Sequence, residues 1–559
     1  MEEIVQDLFE QGVLVRTEVG AVRRDRPSEP VGWVVTQPTT ALHLPPTVQG
    51  ILAARIDRLA PDEKSLLQQL SVIGREFPLS LVRQVITQPE DELYRLLSAL
   101  QRKEFLYEQP AFPEVEYIFK HALTQEVAYG TVLHEQRKLL HVRTGHALEA
   151  LYGTTLHEHY SDLAYHYRRS ANTEKAVTYL QLAGQQAVQR SANTEAISHF
   201  TAALELLLTL PDTPERTQQE LTLQIALGVP LIATTNWTAP EVEKVYTRAL
   251  ELCQKMGEPP HLFPTLWGLW AFHLIRAEYH KAYELGDRLL GLAQRVHVSI
   301  FLLEAHYALG VTLTYLGEFA SARLHLEQGI ALYDPQEHRS LAATYGSFDP
   351  GVIGLSILSL NFWLLGYTDQ SLEKSHKAIV LAQELAHPFS STLALDFAAW
   401  LHQFRQERQR VHEQAEAVVT LSSEQGFPFP LAWGTILRGW ALAGQEQGKE
   451  GIVQIRQGLL AYRDTGSELG RSYFLTLLAE AFGRIGQVEE GLSALAEALT
   501  FVDKTGERIY EAEVYRIKGE LLLQQSRASL GQVQDKFPAS QNKPEVPNTQ
   551  HLTPSTRRN

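Results

Sequence analysis

The string "AGQEQGKEG", Ala443 to Gly451, is the nearest approach in this chain to a phosphate-binding loop. Such a loop wraps backbone N–H groups around phosphate. It needs a glycine five residues before its Gly-Lys pair and a Ser or Thr after it. Those places hold Ala443 and Glu450, so the string reads as a turn between two helices. His159, Asp162 and His166 step by 3 and 4, which sets two imidazoles and a carboxylate on one helix face. That set is able to bind zinc. The same string, "HYSDLAYHYRRS", also fits the first helix of a repeat with solvated or hydrogen-bonded histidines. Cys253 is the only cysteine, so no disulfide forms within the chain and a Cys/His nucleophile pair has little support. No His-Glu-x-x-His string occurs. The residues assign no catalytic group, no metal and no cofactor, and the chain reads as non-enzymatic by itself.

The elements that carry these strings repeat. "RSANTE" occurs at Arg169–Glu174 and again at Arg190–Glu195, 21 residues on. Apolar residues follow each copy in steps of 4, 3 and 4: Ala176, Leu180, Ala183 and Ala187, then Ala196, Phe200, Ala203 and Leu207. That is one face of a helix. The motif is a corner, with Asn suited to cap the next helix and Glu in its first turn. A longer period follows. Small residues recur every 40 positions at Ser359, Ala399, Gly439, Ala479 and Gly519. A second series is Ser371, Val411, Gly451 and Gly491, and a third is Ala378, Val418, Gly458 and Ala498, with both valines too large. Gly310 opens the same pattern 49 residues before Ser359, which places nine extra residues in "YDPQEHRSLAATYGSFDP", a loop. Small residues at fixed places let paired helices cross closely, and such pairs stack into a superhelix. "ALGVTLTYLGEFASARLHLEQGIALY" and "LAEAFGRIGQVEEGLSALAEAL" resemble the tetratricopeptide repeat, lengthened from its usual 34 residues.

The expected fold class is therefore mostly α: a right-handed α-solenoid of tetratricopeptide-like helix pairs over 144–526, preceded by a small winged-helix domain over 45–143. The latter rests on three helices, "PDEKSLLQQLSVIG", "SLVRQVI" and "EDELYRLLSALQRKEFL", followed by a hairpin turning at Pro110 and Pro113. Its third helix opens with Glu90, Asp91 and Glu92, which speaks against reading DNA and for packing against protein. Residues 1–44 form linker strands, and the proline-rich segment 527–559 reads as a disordered tail.

Composition sets the frame. At 559 residues the chain exceeds one core. A net charge of -15 argues against a general nucleic-acid binder. "MEEIVQDLFE" lacks the basic start and apolar core of a signal peptide. The longest uncharged run, residues 351–368, carries three glycines, two serines and Asn361 and reads as a buried helix rather than a membrane span. The expected location is the cytoplasm.

Tryptophan supplies the candidate binding site. In tetratricopeptide arrays the first helix of each pair lines the concave face. Counted from the small residue of each repeat, Leu360, Trp363, Trp400, Trp433 and Trp440 fall on lining positions. The alternative is that the longer helices turn these rings into the core between repeats. On the groove reading, a protein or peptide partner docks there.

Long strings, among them "LPPTVQGILAARIDRLAPDEKSLLQQLSVIGREFPL", "FKHALTQEVAYGTVLHEQRKLLH" and "GERIYEAEVYRIKGELLL", resemble the back half of bacterial AAA/STAND-type signalling ATPases. Many of these carry a class III adenylate/guanylate cyclase domain. The resemblance spans almost all of residues 1–525. It implies that residues 1–44 include a remnant of the ATPase lid. Arg55 and Arg58 would then face the nucleotide of a module encoded upstream, unless they are surface arginines paired with Asp57 or Asp62. The P-loop, the Walker B acid and the two cyclase metal aspartates are not found here. Met1 stands where relatives place a Gly-Asn-Pro-Phe-type string, and the tail replaces further repeats. The chain thus looks cut at both ends, as a split gene, a degraded copy or a misplaced start would be. The resemblance implies a sensor and protein-interaction scaffold that regulates an ATPase or cyclase. Two alternatives remain: a transcriptional regulator using the winged helix on DNA, and an ATPase or cyclase activity carried over from full-length relatives.

Overall fold

The computed structural model describes residues 14–17, 32–35, 48–110, 114–190, 192–257, 261–338, 348–444 and 447–536. "MEEIVQDLFE" and residues 537–559 lie outside them. So do Pro113 and 339–347 of the expected loop. The described residues are overwhelmingly helical and fall into two compact units, Met1–Leu227 and Gly228–Asn559. The first unit therefore also takes in the opening helices of the array.

In the first unit, β1 (Leu14–Thr17) and β2 (Gly32–Val35) pair antiparallel, as the alternating apolar runs there require. Next come α1 (Val48–Asp57), α2 (Pro61–Ile73), β3 (Glu76–Pro78), α3 (Leu79–Val85) and α4 (Glu90–Arg102). β4 (Leu106–Gln109) and β5 (Glu116–Phe119) complete an antiparallel sheet of order β3-β5-β4. Pro61 opens α2 where its missing N–H costs nothing, and Glu63 reaches back to the Ala60 N–H at 3.1 Å. α5 (Ala122–Thr131) and α6 (His134–Leu151) follow, then a 3₁₀ turn at Leu156–His159 and α7 (Tyr160–Arg168), α8 (Thr173–Gln189) and α9 (Asn193–Leu207). Asn172 caps α8, its side chain accepting from the Lys175 N–H at 3.1 Å. The second "SANTE" differs. α9 begins at Asn193 itself, and Ala192 in the cap position has no side-chain bond to give.

α10 (Pro214–Thr234) crosses the unit boundary. The second unit continues with α11 (Pro240–Met256), α12 (Leu262–Ile275), α13 (Tyr279–Val296), α14 (Ser299–Tyr315), α15 (Phe319–Leu332), α16 (Pro350–Leu364), α17 (Thr368–Leu385), α18 (Pro388–Phe404), α19 (Arg408–Gln425), α20 (Pro428–Ala443), α21 (Gly448–Asp464), α22 (Arg471–Arg484), α23 (Val488–Thr505) and α24 (Glu511–Lys536). The last helix runs ten residues past the expected end of the array at 526, into what the sequence suggested was tail.

The 40-residue register is a register of helix crossings. α17, α19, α21 and α23 start at 368, 408, 448 and 488. At one crossing a Cβ on Gly439 would lie 2.7 Å from the Gly451 carbonyl oxygen. At the equivalent crossing earlier, the Ser371 hydroxyl donates to the Ser359 carbonyl at 2.7 Å. Val411, the misfit of the second series, is fully buried. Helix ends repeat too. Left-handed residues end α17, α19 and α23 at Ala386, Gly426 and Gly506, and Gly466 follows the end of α21. Each lies 40 positions after the last. No described helix is long and apolar enough to cross a membrane. The 351–368 run instead forms most of α16, whose residues from Val352 to Phe362 are almost all buried.

Candidate functional site

The second unit closes on itself. The Glu468 N–H donates to the Ile275 carbonyl at 2.9 Å, and the Arg508 N–H donates to the Tyr315 carbonyl at 2.8 Å. The Tyr279 hydroxyl donates to Glu507 at 2.6 Å, 228 residues away in sequence. Ser472 donates to the other oxygen of Glu507. Tyr279 also stacks on Tyr315 with ring centroids 5.4 Å apart. The faces that an open superhelix would offer to a partner meet each other instead.

That closure moves the expected binding strip into the core. Trp400, Trp433, Trp440 and Leu360 are all buried at 2% exposure or less. Trp400 stacks on Tyr473 with centroids 4.6 Å apart and meets Trp433 edge-on at 5.4 Å. Trp440 donates its indole N–H to Glu480 at 2.7 Å, under the guanidinium of Arg408. Trp363 alone is half-buried, with Arg405 over its ring. The five residues do not form an open groove. Of them, Trp433 faces a different feature: a partly open cavity of about 100 Å³. Its walls are Trp237, Trp267 and Trp270, Tyr307 and Tyr315, Phe348, and the first-helix residues Phe389, Phe397 and Phe429, with aliphatic side chains between them. Trp237, Trp267 and Trp270 are the rings the spacing argument missed. "LWGLWAF" in α12 is dense enough in aromatic residues to have pointed to them.

The buried polar groups of this unit are unusual. Glu304 accepts the Trp267 indole N–H at 3.0 Å, and burial, reinforced by Asp349, pushes its carboxyl up to about 8. Trp270 donates to Thr312 at 2.9 Å. Burial also raises Asp349, which caps α16 and accepts from the Tyr333 hydroxyl at 2.8 Å, and lifts Glu507 to about 7. Asp396, on α18 between Leu393 and Phe397, is fully buried with neither carboxyl oxygen bonded, so its carboxyl is held well above the usual range. The indole N–H groups of Trp400 and Trp433 and the Tyr473 hydroxyl are likewise buried without partners. Buried polar groups without partners are rare in folded proteins.

The other sequence candidates disperse. Arg55 is 2% exposed, donates to the Lys103 carbonyl at 3.1 Å and lies 4.9 Å from the centre of the Phe105 ring. It is enclosed within its own domain and does not reach out to a phosphate. Arg58 is exposed. His159 bonds Asp162 at 3.1 Å, but His166 turns away to share a hydrogen with His141 between Nδ1 atoms 3.0 Å apart. Burial lowers that pair to about 3 and about 4, so both rings are neutral. Among the described residues no group of three or more acids, histidines and cysteines is placed to hold a metal. Of Ala443–Gly451, Ala443 ends α20 and Gly448 starts α21, and residues 445–446 lie outside the described residues.

No family model matches the sequence. An uncharacterized protein of Rhizobium meliloti (strain 1021) is 25% identical over 514 residues, covering 91% of this chain and 49% of that protein. The chain thus spans about half the length of the curated relative it matches. Among solved structures, a signal transduction ATPase with numerous domains (STAND) from Pyrococcus horikoshii, carrying a tetratricopeptide repeat sensor, is similar over 86% of this chain and 68% of its own, with TM-score 0.47 and 11% identity. A Rap protein complexed with Competence and Sporulation Factor is similar over 63% of this chain and 99% of its own, with TM-score 0.44 and 9% identity.

Proposed function

We propose that this chain is a non-catalytic sensing and regulatory scaffold for a bacterial signalling ATPase or nucleotide cyclase, acting in the cytoplasm through protein–protein contact. The observation that carries the reading is the closure of the repeat unit around an aromatic cavity. A few long-range bonds, at Tyr279–Glu507, Ile275–Glu468 and Tyr315–Arg508, hold the closed form. Whatever binds inside acts on those bonds, so one local event changes the whole unit. The module from α2 to β5 is on this reading a winged helix, supported by its helix, strand, helix, helix, strand, strand order. Its third helix begins with Glu90, Asp91 and Glu92, which repel phosphate and favour a protein neighbour.

The test is reconstitution with a P-loop ATPase or nucleotide cyclase of the signalling type. The chain alone should turn over neither ATP nor GTP, and adding it should change the partner's rate. No effect on the partner, together with salt-dependent binding to duplex DNA, would favour the transcriptional reading instead.

A further inference from the structure

The buried charge of the repeat unit is one-sided. Glu304, Asp349, Asp396 and Glu507 are all buried, while no lysine or arginine among the described residues of this unit is. Buried carboxyl groups ordinarily come with a cationic partner, because a lone carboxylate in an apolar interior is very costly. Here Glu304 and Asp396 have none. Glu304 holds an indole of the wall, and Asp396 lies one helical turn from the wall residue Leu393 on α18. The wall itself is aromatic, and an aromatic face attracts a cation through its ring quadrupole.

We propose that this cavity, walled by Trp237, Trp267, Trp270, Tyr307, Phe397 and Trp433, binds a small organic ammonium ion, with Asp396 and Glu304 behind the wall supplying the counter-charge. Several observations support this choice of ligand. No charged side chain lines the cavity, so an anion would find no cationic partner there. Asp396 has no bond to lose, which leaves both of its oxygens free to answer a positive charge. The volume of about 100 Å³ is smaller than the roughly 150 Å³ engineered cavity that accepts benzene, which limits the bound head group to one no larger than tetramethylammonium. A metal cation fits less well, because the walls offer it no carboxylate, amide or imidazole, only the hydroxyls of Tyr307 and Tyr315. With the cation in place the acids ionise against it, and the aromatic first helices α12, α14, α18 and α20 are drawn onto one ligand.

The inference rests on the repeat unit being the sensing part of the scaffold. It is tested on the full chain with tetramethylammonium and its neutral counterpart of similar shape, tert-butanol, followed by tryptophan fluorescence and calorimetry. The expected result is saturable binding of tetramethylammonium at least about tenfold tighter than tert-butanol. Asp396→Asn, which removes a charge but no existing bond, should fold normally and reduce that preference several-fold, and Glu304→Gln should act in the same direction. Equal affinity for the two probes, no binding of either, or a preference unchanged in both variants would overturn the proposal. If the chain still alters its partner's turnover while tetramethylammonium fails to bind, only this inference falls and the scaffold function stands.

Discussion

Tyr279 and Glu507 are separated by 228 residues and joined by a 2.6 Å hydrogen bond, with Tyr279 donating. The bond links the start of α13 to the turn before α24, an early and a late element of the closed repeat unit. Both groups are buried, so the bond is made in an apolar setting where an unmade partner is costly. Tyr279→Phe should therefore leave Glu507 with one donor fewer and destabilise the closed unit by about 1–3 kcal/mol. Chemical denaturation followed by helical circular dichroism checks this. An unchanged midpoint would mean the contact contributes nothing to closure.

The buried acids make stability depend on pH. Glu507 at about 7 and Glu304 at about 8 stay protonated in the folded unit where the unfolded chain, near 4.5, has already ionised. Their contribution is complete below about pH 4.5 and is lost as pH rises through about 7 and 8. Between pH 6.5 and 8 the Glu304 share is about 2 kcal/mol. The neutral His141 and His166 of the first unit behave oppositely: their contribution is present above pH 6.5 and is lost as pH falls through about 4 and 3. Thermal unfolding of the repeat unit should thus shift down from pH 6.5 to 8.5, and Glu304→Gln should flatten the dependence. A midpoint that rises over this range would contradict the assignment.

The crossing register predicts contrasting glycine substitutions. Gly439→Leu drives a side chain into the Gly451 carbonyl and Ile455 and should cost at least about 1–3 kcal/mol. Gly519 belongs to the same 40-residue series but has open space where a Cβ would go. Gly519→Ala should be neutral or stabilising by up to about 1 kcal/mol, since alanine is the better helix former. Equal effects in the two variants would show that the series does not mark crossings.

Much of this architecture is legible in the sequence because close crossings leave a chemical trace. Ser359 with Ser371, Gly439 with Gly451 and Ala479 with Gly491 are small because two backbones meet there. Closure leaves no such trace. The bonds at Ile275–Glu468 and Tyr315–Arg508 are between backbone groups that every residue type carries. The tryptophans were ambiguous for a related reason. Position within a repeat says that Trp400 and Trp440 face inward, but only the curvature of the array decides whether the inside is a groove or a core. Arg55 shows the same limit. Its type suited a phosphate, and packing on Phe105 turned it inward.

The burial of those rings has its own consequence. Trp400→Ala should cost about 3–5 kcal/mol, as for a large core side chain, and Trp440→Ala a similar amount plus the loss of its hydrogen bond to Glu480, which keeps Arg408 and Arg484. Native tryptophan emission should be blue-shifted. A small loss with red-shifted native emission would return these residues to an exposed groove.

Closure itself is tested most directly by a distance. Lys281 and Lys504 are exposed and flank the contact between His280 and Gly506. Nitroxide labels at these two positions, in a chain with Cys253→Ser, report their separation by electron double resonance. The closed unit predicts a single distribution centred within about 25 Å, two helix widths plus the label arms. An open superhelix stacks the intervening helices at roughly 10 Å each and would place the labels beyond about 50 Å. That result would contradict the account.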